Sequence, residues 1–163
     1  MDLKQLSEEV GRALSQRDFV LATAESCTGG WVAKVITDIP GSSKWFDRGF
    51  VTYTNASKQE MLGVSAVTLE KYGAVSEQTV CEMAEAALQR SRANISLAIS
   101  GIAGPGGATK YKPVGMVCLA WSGTFFKTFS RVEYFSGDRE QIRLQAVIGA
   151  LNGVLNVFAS HFG

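Results

Sequence analysis

Phe19-Val20-Leu21-Ala22-Thr23-Ala24-Glu25-Ser26-Cys27-Thr28-Gly29-Gly30-Trp31-Val32-Ala33-Lys34 is the stretch whose reading decides the fold. Its first four residues are a short apolar run that predicts a buried strand, and Val32, Val35, Ile36 and Ile39 recur at helical spacing. Between the two lie small polar residues and two glycines, so the chain must turn sharply from strand to helix with Ser26 near the elbow. An elbow of this kind exposes a side chain while the first free N–H groups of the helix point at whatever it touches. A hydroxyl and a set of backbone donors in one place are the parts of an acyl-transfer or anion site. A plain helix cap at Ser26 or Thr28, with glycines that only permit the turn, has the same composition. Both readings stand at this point.

Working outward, Leu3, Leu6, Val10 and Leu14 predict an amphipathic helix that ends near Arg17-Asp18. Beyond the elbow, the second helix stops at Ile39-Pro40-Gly41, and Ser42 to Phe46 form a packed connection. Phe50 to Thr54 is β-branched enough to predict a strand. Asn55 to Leu62 reads as a short helix with Asn55 as its cap, ended by Gly63. A further short helix follows over Ser65 to Lys71, then a longer one capped by Ser76. Ile95 to Ile99 predicts another strand, leading into the glycine-rich run Gly101 to Gly107. Val114 to Trp121 and Phe125 to Phe135 predict a β-hairpin turning through Ser122-Gly123-Thr124. Asp138 caps a last helix with its apolar stripe on Ile142, Val147, Ala150, Leu151, Val154 and Phe158. The expected fold is α/β, a three-layer α/β/α arrangement with a mixed central sheet that includes an antiparallel C-terminal hairpin, in one domain over residues 1–163.

Composition narrows the function classes. The chain has 163 residues, 46% hydrophobic and 19% charged, with a formal net charge of +1. No basic stripe is visible, which removes the electrostatic case for nucleic acid. No apolar run approaches a bilayer span in this reading, and the acidic N-terminal segment lacks the pattern of a signal peptide. A cytoplasmic location without membrane attachment is expected. Three cysteines at 27, 81 and 118, widely spaced, predict neither a disulfide framework nor a zinc knuckle. The lone histidine, His161, is a tail residue, so a Ser-His-Asp triad is not expected and any base for Ser26 must be something else. Trp45, Phe46 and Trp121 look exposed and suggest self-association, hence a homo-oligomer.

Three segments beyond predicted strand ends could carry chemistry: the Ser26 elbow, Tyr53 to Lys58, and Ser100 to Gly107. Lys58 stands on the first turn of its helix, where the dipole disfavours positive charge. It is either an ordinary solvated lysine or an amine whose pKa is lowered until it can serve as a base for a hydroxyl. Tyr53 could donate a proton or be simply half-buried. The glycine run is neither a P-loop nor a dinucleotide fingerprint, since it lacks Gly-Lys-Ser/Thr and leads to a strand. What it offers is close backbone approach to a ligand. Arg139 and Arg143 could clamp a phosphate or carboxylate, or face water.

Eight linked motifs then carry a family resemblance: Ala24 to Gly30, Pro40 to Ser43, Tyr53-x-Asn55-x-x-Lys58, Leu62-Gly63-Val64, Gly73 to Ser76, Gly101 to Pro105, Lys112 to Gly115, and Gly137-Asp138-Arg139. Together they closely resemble the C-terminal domain of the competence/damage-inducible protein CinA, the nicotinamide-nucleotide amidohydrolase (PncC) family, in a stand-alone form. The resemblance covers nearly the whole chain. It implies hydrolysis of nicotinamide mononucleotide to nicotinate mononucleotide and ammonia, a step of pyridine-nucleotide salvage, without metal or cofactor and with a small nucleotide as the only ligand. It also implies Ser26 as nucleophile, assisted by Lys58 and Tyr53. Ser100 and Arg139 are implied at the site, together with Asn55, Gly101 and Gly104, while Thr28, Gly29 and Gly30 would supply donors for an oxyanion. Cys27 is the rival nucleophile. The segment Pro105 to Lys112 is shorter and more basic than in many family members. The alternative expectation is a regulatory paralogue that binds the nucleotide without turning it over.

Overall fold

Alternation along the central strands sorts side chains into two cores, one on each face of a single sheet. In the computed structural model, which describes residues 1–163, the strands are β1 (Leu21–Glu25), β2 (Phe46–Val51), β3 (Ile95–Gly101), β4 (Met116–Gly123) and β5 (Phe126–Tyr134). They lie in the order β2-β1-β3-β4-β5. β1 runs parallel to both its neighbours, whereas β3–β4 and β4–β5 are antiparallel, so the sheet is mixed. The helices are α1 (Leu3–Ser15), α2 (Trp31–Thr37), α3 (Asn55–Leu62), α4 (Ala66–Tyr72), α5 (Glu77–Gln89) and α6 (Arg139–Phe162). Ile95, Leu97 and Ile99 of β3 and Val117, Leu119 and Trp121 of β4 join the apolar faces of α1, α2 and α6. Ala98, Cys118 and Ala120 face the other way, onto Leu62, Leu69 and the inner side of α5. The expected α/β/α layering is the observed one.

Several boundaries move for local reasons. β1 starts at Leu21, not Phe19, because the Val20 N–H is taken by the Asn94 side chain and the Phe19 ring packs at a tilt against Phe125. It runs on through Glu25, paired on both sides. β2 lies four residues earlier than its β-branched residues suggested, pairing Phe46 with Leu21 and Val51 with Glu25. Because β1 ends at Glu25, the chain beyond Thr52 leaves the sheet, and Thr54, not Asn55, caps α3 by accepting from the Ser57 N–H. The hairpin turns at Thr124-Phe125, one residue later than expected.

Trp45 and Trp121, expected at the surface, are buried at 5% and 0% exposure, and Phe46 is half-buried. Each indole fills a notch left by a glycine in a helix. A Cβ on Gly11 would lie 2.5 Å from the Trp45 ring, and one on Gly153 would lie 2.0 Å from Trp121. The Trp121 Nε1 donates to the Ala150 carbonyl at 3.0 Å, which satisfies the one polar atom buried with the ring. The ground for expecting self-association is thereby gone. A second correction concerns α6, which is long and apolar enough, on length and composition, to cross a bilayer. Half of that stretch is buried against the sheet and α1.

Candidate active site

After β1 the chain passes to α2 on one face of the sheet, and after β2 it returns over the other face to reach β3. The segments leaving β1 and β3 therefore diverge, and such a divergence opens a crevice beyond the strand ends where ligands bind. A cavity of about 300 Å³ lies there. It draws on residues far apart in sequence, among them Ser26, Tyr53, Lys58, Ser100, Gly104 and Arg139.

The elbow is built around a buried carboxylate. Glu25, 1% exposed, accepts from the Thr28 hydroxyl at 2.7 Å and from the N–H groups of Val32 and Ala33 at 2.9 and 3.1 Å. It thus caps α2 from outside, which that helix needs, because its N-cap is Gly30 with φ +99° and no side chain to offer. A positive φ is easily reached only by glycine. The Gly29 N–H donates to the Ser26 carbonyl and closes the turn. From the opposite side Arg143 of α6 donates through Nε to the Cys27 carbonyl at 2.9 Å and through Nη2 to the Thr28 carbonyl at 3.2 Å. The result places the Ser26 hydroxyl on the cavity wall.

Lys58 meets it there. Its side chain is 1% exposed, and Nζ donates to Ser26 Oγ at 2.8 Å and to the Thr52 carbonyl at 2.9 Å. No carboxylate forms an ion pair with it. Burial without a counter-charge disfavours the ammonium form and lowers the pKa from 10.5 to about 8. About a tenth of the amine is then uncharged at pH 7. In that form the lone pair can accept a proton from the Ser26 hydroxyl while an N–H keeps its bond to the Thr52 carbonyl. Cys27 is also buried, and loss of water pushes its thiol up to about 11. A thiol so protonated is a poor nucleophile, which weighs against it as rival to Ser26.

The remaining expected residues divide. Tyr53 is at the mouth, 57% exposed, and its hydroxyl accepts from Arg139 Nη2 at 2.8 Å, so its partner is Arg139 and not the Ser26–Lys58 pair. Arg139 also donates through Nη1 to the Gly104 carbonyl at 2.8 Å, tying the loop after β3 to the mouth. Gly104 has φ +79°, and a Cβ there would lie 2.5 Å from Val114. Asn55, Gly101 and Ser100 line the cavity, and the Ser100 hydroxyl donates to the Ala74 carbonyl at 2.7 Å. Thr28, Gly29 and Gly30 are not brought to the cavity wall. They shape the elbow; Cys27 is the elbow residue besides Ser26 that lines the cavity, and its N–H donates to no carbonyl of the fold. Arg143, read in the sequence as a possible anion clamp, is occupied by the elbow. Glu25, the Thr52 carbonyl and the Ala74-Val75 wall carried no role in the sequence reading. Glu25 did leave a signal, as the one charge in a buried strand just before a helix with a glycine cap. No group of three His, Cys, Asp or Glu side chains comes together that could hold a metal ion.

A family model described as the CinA C-terminal domain matches residues 3–158. The chain is 54% identical over 157 residues to nicotinamide-nucleotide amidohydrolase PncC of Escherichia coli strain K12, covering 96% of this chain and 95% of that protein. Its fold superposes on the crystal structure of competence/damage inducible protein CihA from Agrobacterium tumefaciens with a TM-score of 0.93 at 44% identity, over 96% of each chain. It superposes equally on the crystal structure of competence damage-inducible protein A from Klebsiella pneumoniae, with a TM-score of 0.94 at 37% identity over 100% of both chains.

Proposed function

The chain belongs to the CinA C-terminal domain family, and from that premise we propose that it is a nicotinamide-nucleotide amidohydrolase that uses Ser26 as nucleophile and Lys58 as base. The substrate class comes from the relative in Escherichia coli that bears that name. The observation that carries the mechanism is the 2.8 Å approach of Lys58 Nζ to Ser26 Oγ inside a buried site.

Uncharged Lys58 takes the hydroxyl proton as Ser26 Oγ bonds to the carboxamide carbon of nicotinamide mononucleotide. The carbonyl oxygen becomes an oxyanion within reach of the Cys27 N–H, a donor whose loss would cost about 3 kcal/mol of barrier. The C–N bond then breaks, and the ammonium of Lys58 returns its proton to the departing nitrogen, which leaves as ammonia. Water attacks the acyl-serine in the second half, again losing a proton to Lys58. That proton goes back to Ser26 Oγ as nicotinate mononucleotide departs. Each half begins and ends with the same amine, so no histidine is required. Tyr53 and Arg139 serve substrate placement at the mouth, where a guanidinium suits the nucleotide phosphate.

A cavity of about 300 Å³ suits a mononucleotide. The Ser26–Lys58 contact and the 54% identity to a protein named as an amidohydrolase favour turnover over the reading as a regulatory paralogue. The reaction places the protein in salvage of pyridine nucleotides, in the cytoplasm. Ammonia release from nicotinamide mononucleotide by the purified protein tests the proposal. Turnover is expected in the native chain and in Cys27→Ala, and none in Ser26→Ala. Turnover retained by Ser26→Ala overturns the covalent route.

A further inference from the structure

The elbow that presents Ser26 is gripped on two sides by groups of opposite charge. Glu25 collects donors, namely the Thr28 hydroxyl and the Val32 and Ala33 N–H groups. Arg143 collects acceptors, the consecutive carbonyls of Cys27 and Thr28. The Cys27 carbonyl has no other donor in the fold, and Cys27 and Thr28 are 6% and 0% exposed. Water therefore has poor access to replace the guanidinium. Arg143 stands on the second turn of α6, 115 residues away in the chain from Thr28, and it does not line the cavity. Its guanidinium also lies 5.6 Å from the centre of the Trp31 ring, the first residue of α2.

Each peptide unit is planar, so fixing one carbonyl fixes the N–H on the other side of the same bond. The Gly29 N–H holds the Ser26 carbonyl and so sets the Cys27 N–H. Arg143 holds the next carbonyl and keeps the Cys27 backbone from rotating out of that arrangement. We propose that Arg143 is a positioning residue for the reaction, holding the Ser26–Thr28 elbow from α6 so that Ser26 Oγ meets Lys58 Nζ. This rests on the reading of Ser26 as nucleophile. The two carbonyls need a planar fork, which a lysine cannot supply because a single ammonium is a point charge.

The test is a kinetic comparison of Arg143→Lys and Arg143→Ala with the native protein, with Ser26→Ala run in parallel and folding checked by circular dichroism. A displacement of about 1 Å at a reacting atom can cost about 100-fold. The expected loss in kcat is accordingly about 100-fold for Arg143→Ala and about 10-fold for Arg143→Lys. KM for nicotinamide mononucleotide should shift less than about threefold, since Arg143 does not itself line the cavity. The pH midpoint of the rate should not move. Added guanidinium ion should restore part of the kcat of Arg143→Ala, and labelling of Ser26 by a sulfonyl fluoride should slow in step with kcat. A rise in KM with kcat unchanged would make Arg143 a substrate ligand and overturn the proposal, as would native kcat in folded Arg143→Lys and Arg143→Ala. If Arg143→Ala does not fold, the folded Arg143→Lys decides by its kcat and labelling rate. Turnover by Ser26→Ala would instead remove the nucleophile reading, which is a separate failure.

Discussion

Two glycine-containing segments leave the same end of the sheet, one after β1 and one after β3, and the fold treats them in opposite ways. In the elbow at residues 25–30 a guanidinium engages two backbone carbonyls, the buried Glu25 carboxylate engages the Thr28 hydroxyl and the start of α2, and Ser26, Cys27 and Thr28 are buried. In the loop at residues 105–111 every residue is exposed. That loop is fastened near its ends, by Arg139 at the Gly104 carbonyl and by Lys112 at the Tyr72 carbonyl. The lesson is physical. A reacting atom must be placed to a fraction of an ångström, so its backbone is committed to partners. A surface that accommodates a ligand keeps its backbone groups open, and Gly106 and Gly107 line the cavity in that condition. Similar glycine content therefore means a tight turn in one place and an open rim in the other.

Changes on the elbow side should be far more damaging than changes on the rim. Lys58→Met is expected to reduce kcat by about six orders of magnitude, by analogy with loss of the base from other serine hydrolases, as read from ammonia release. Next comes Glu25→Ala, which strands a buried N–H, a part-buried one and a buried hydroxyl. A destabilisation of about 3 kcal/mol is expected in urea unfolding, with kcat lowered as well. The third is pH. With the Lys58 pKa lowered to about 8, kcat/KM should rise about tenfold per pH unit below that value and level off above it. Stability should move in the same direction. Between about 8 and 10.5 the unfolded chain still binds a proton that the native amine has released, so unfolding becomes harder as pH rises through that window. Lys58→Met should lose this rise. The smallest effect belongs to the rim: Lys110→Ala and Tyr111→Ala should alter KM less than about threefold and stability by less than about 0.5 kcal/mol. A large fall in kcat from either rim variant would break the contrast between the two segments.

Much of this was legible in residue order. Hydrophobic period and the turn residues identified every helix and strand, and Ser76 and Asp138 were recognised as caps that the structure retains. The absence of a usable histidine pointed to some other base, and Lys58, read as either a solvated lysine or a base, is the group in contact with Ser26. What could not be read were facts of three-dimensional neighbourhood. Trp45 and Trp121 look like surface residues until Gly11 and Gly153 are seen as the notches that receive them. Thr54 displaced Asn55 as a cap because the strand it follows had no partner beyond Glu25, which depends on register. Arg143 resembled an anion ligand in sequence, and only the packing of α6 beside the elbow reveals carbonyls as its partners. The role of Tyr53 likewise follows from Arg139, 86 positions further on.

Both guanidinium groups near the cavity ride on the first two turns of α6, the helix encoded last and the one that rests on α1. A polypeptide emerging from synthesis thus contains its serine and its amine well before it contains the pair of arginines that steady the neighbourhood. On this arrangement a copy cut short ahead of α6 would have the reagents without the grip.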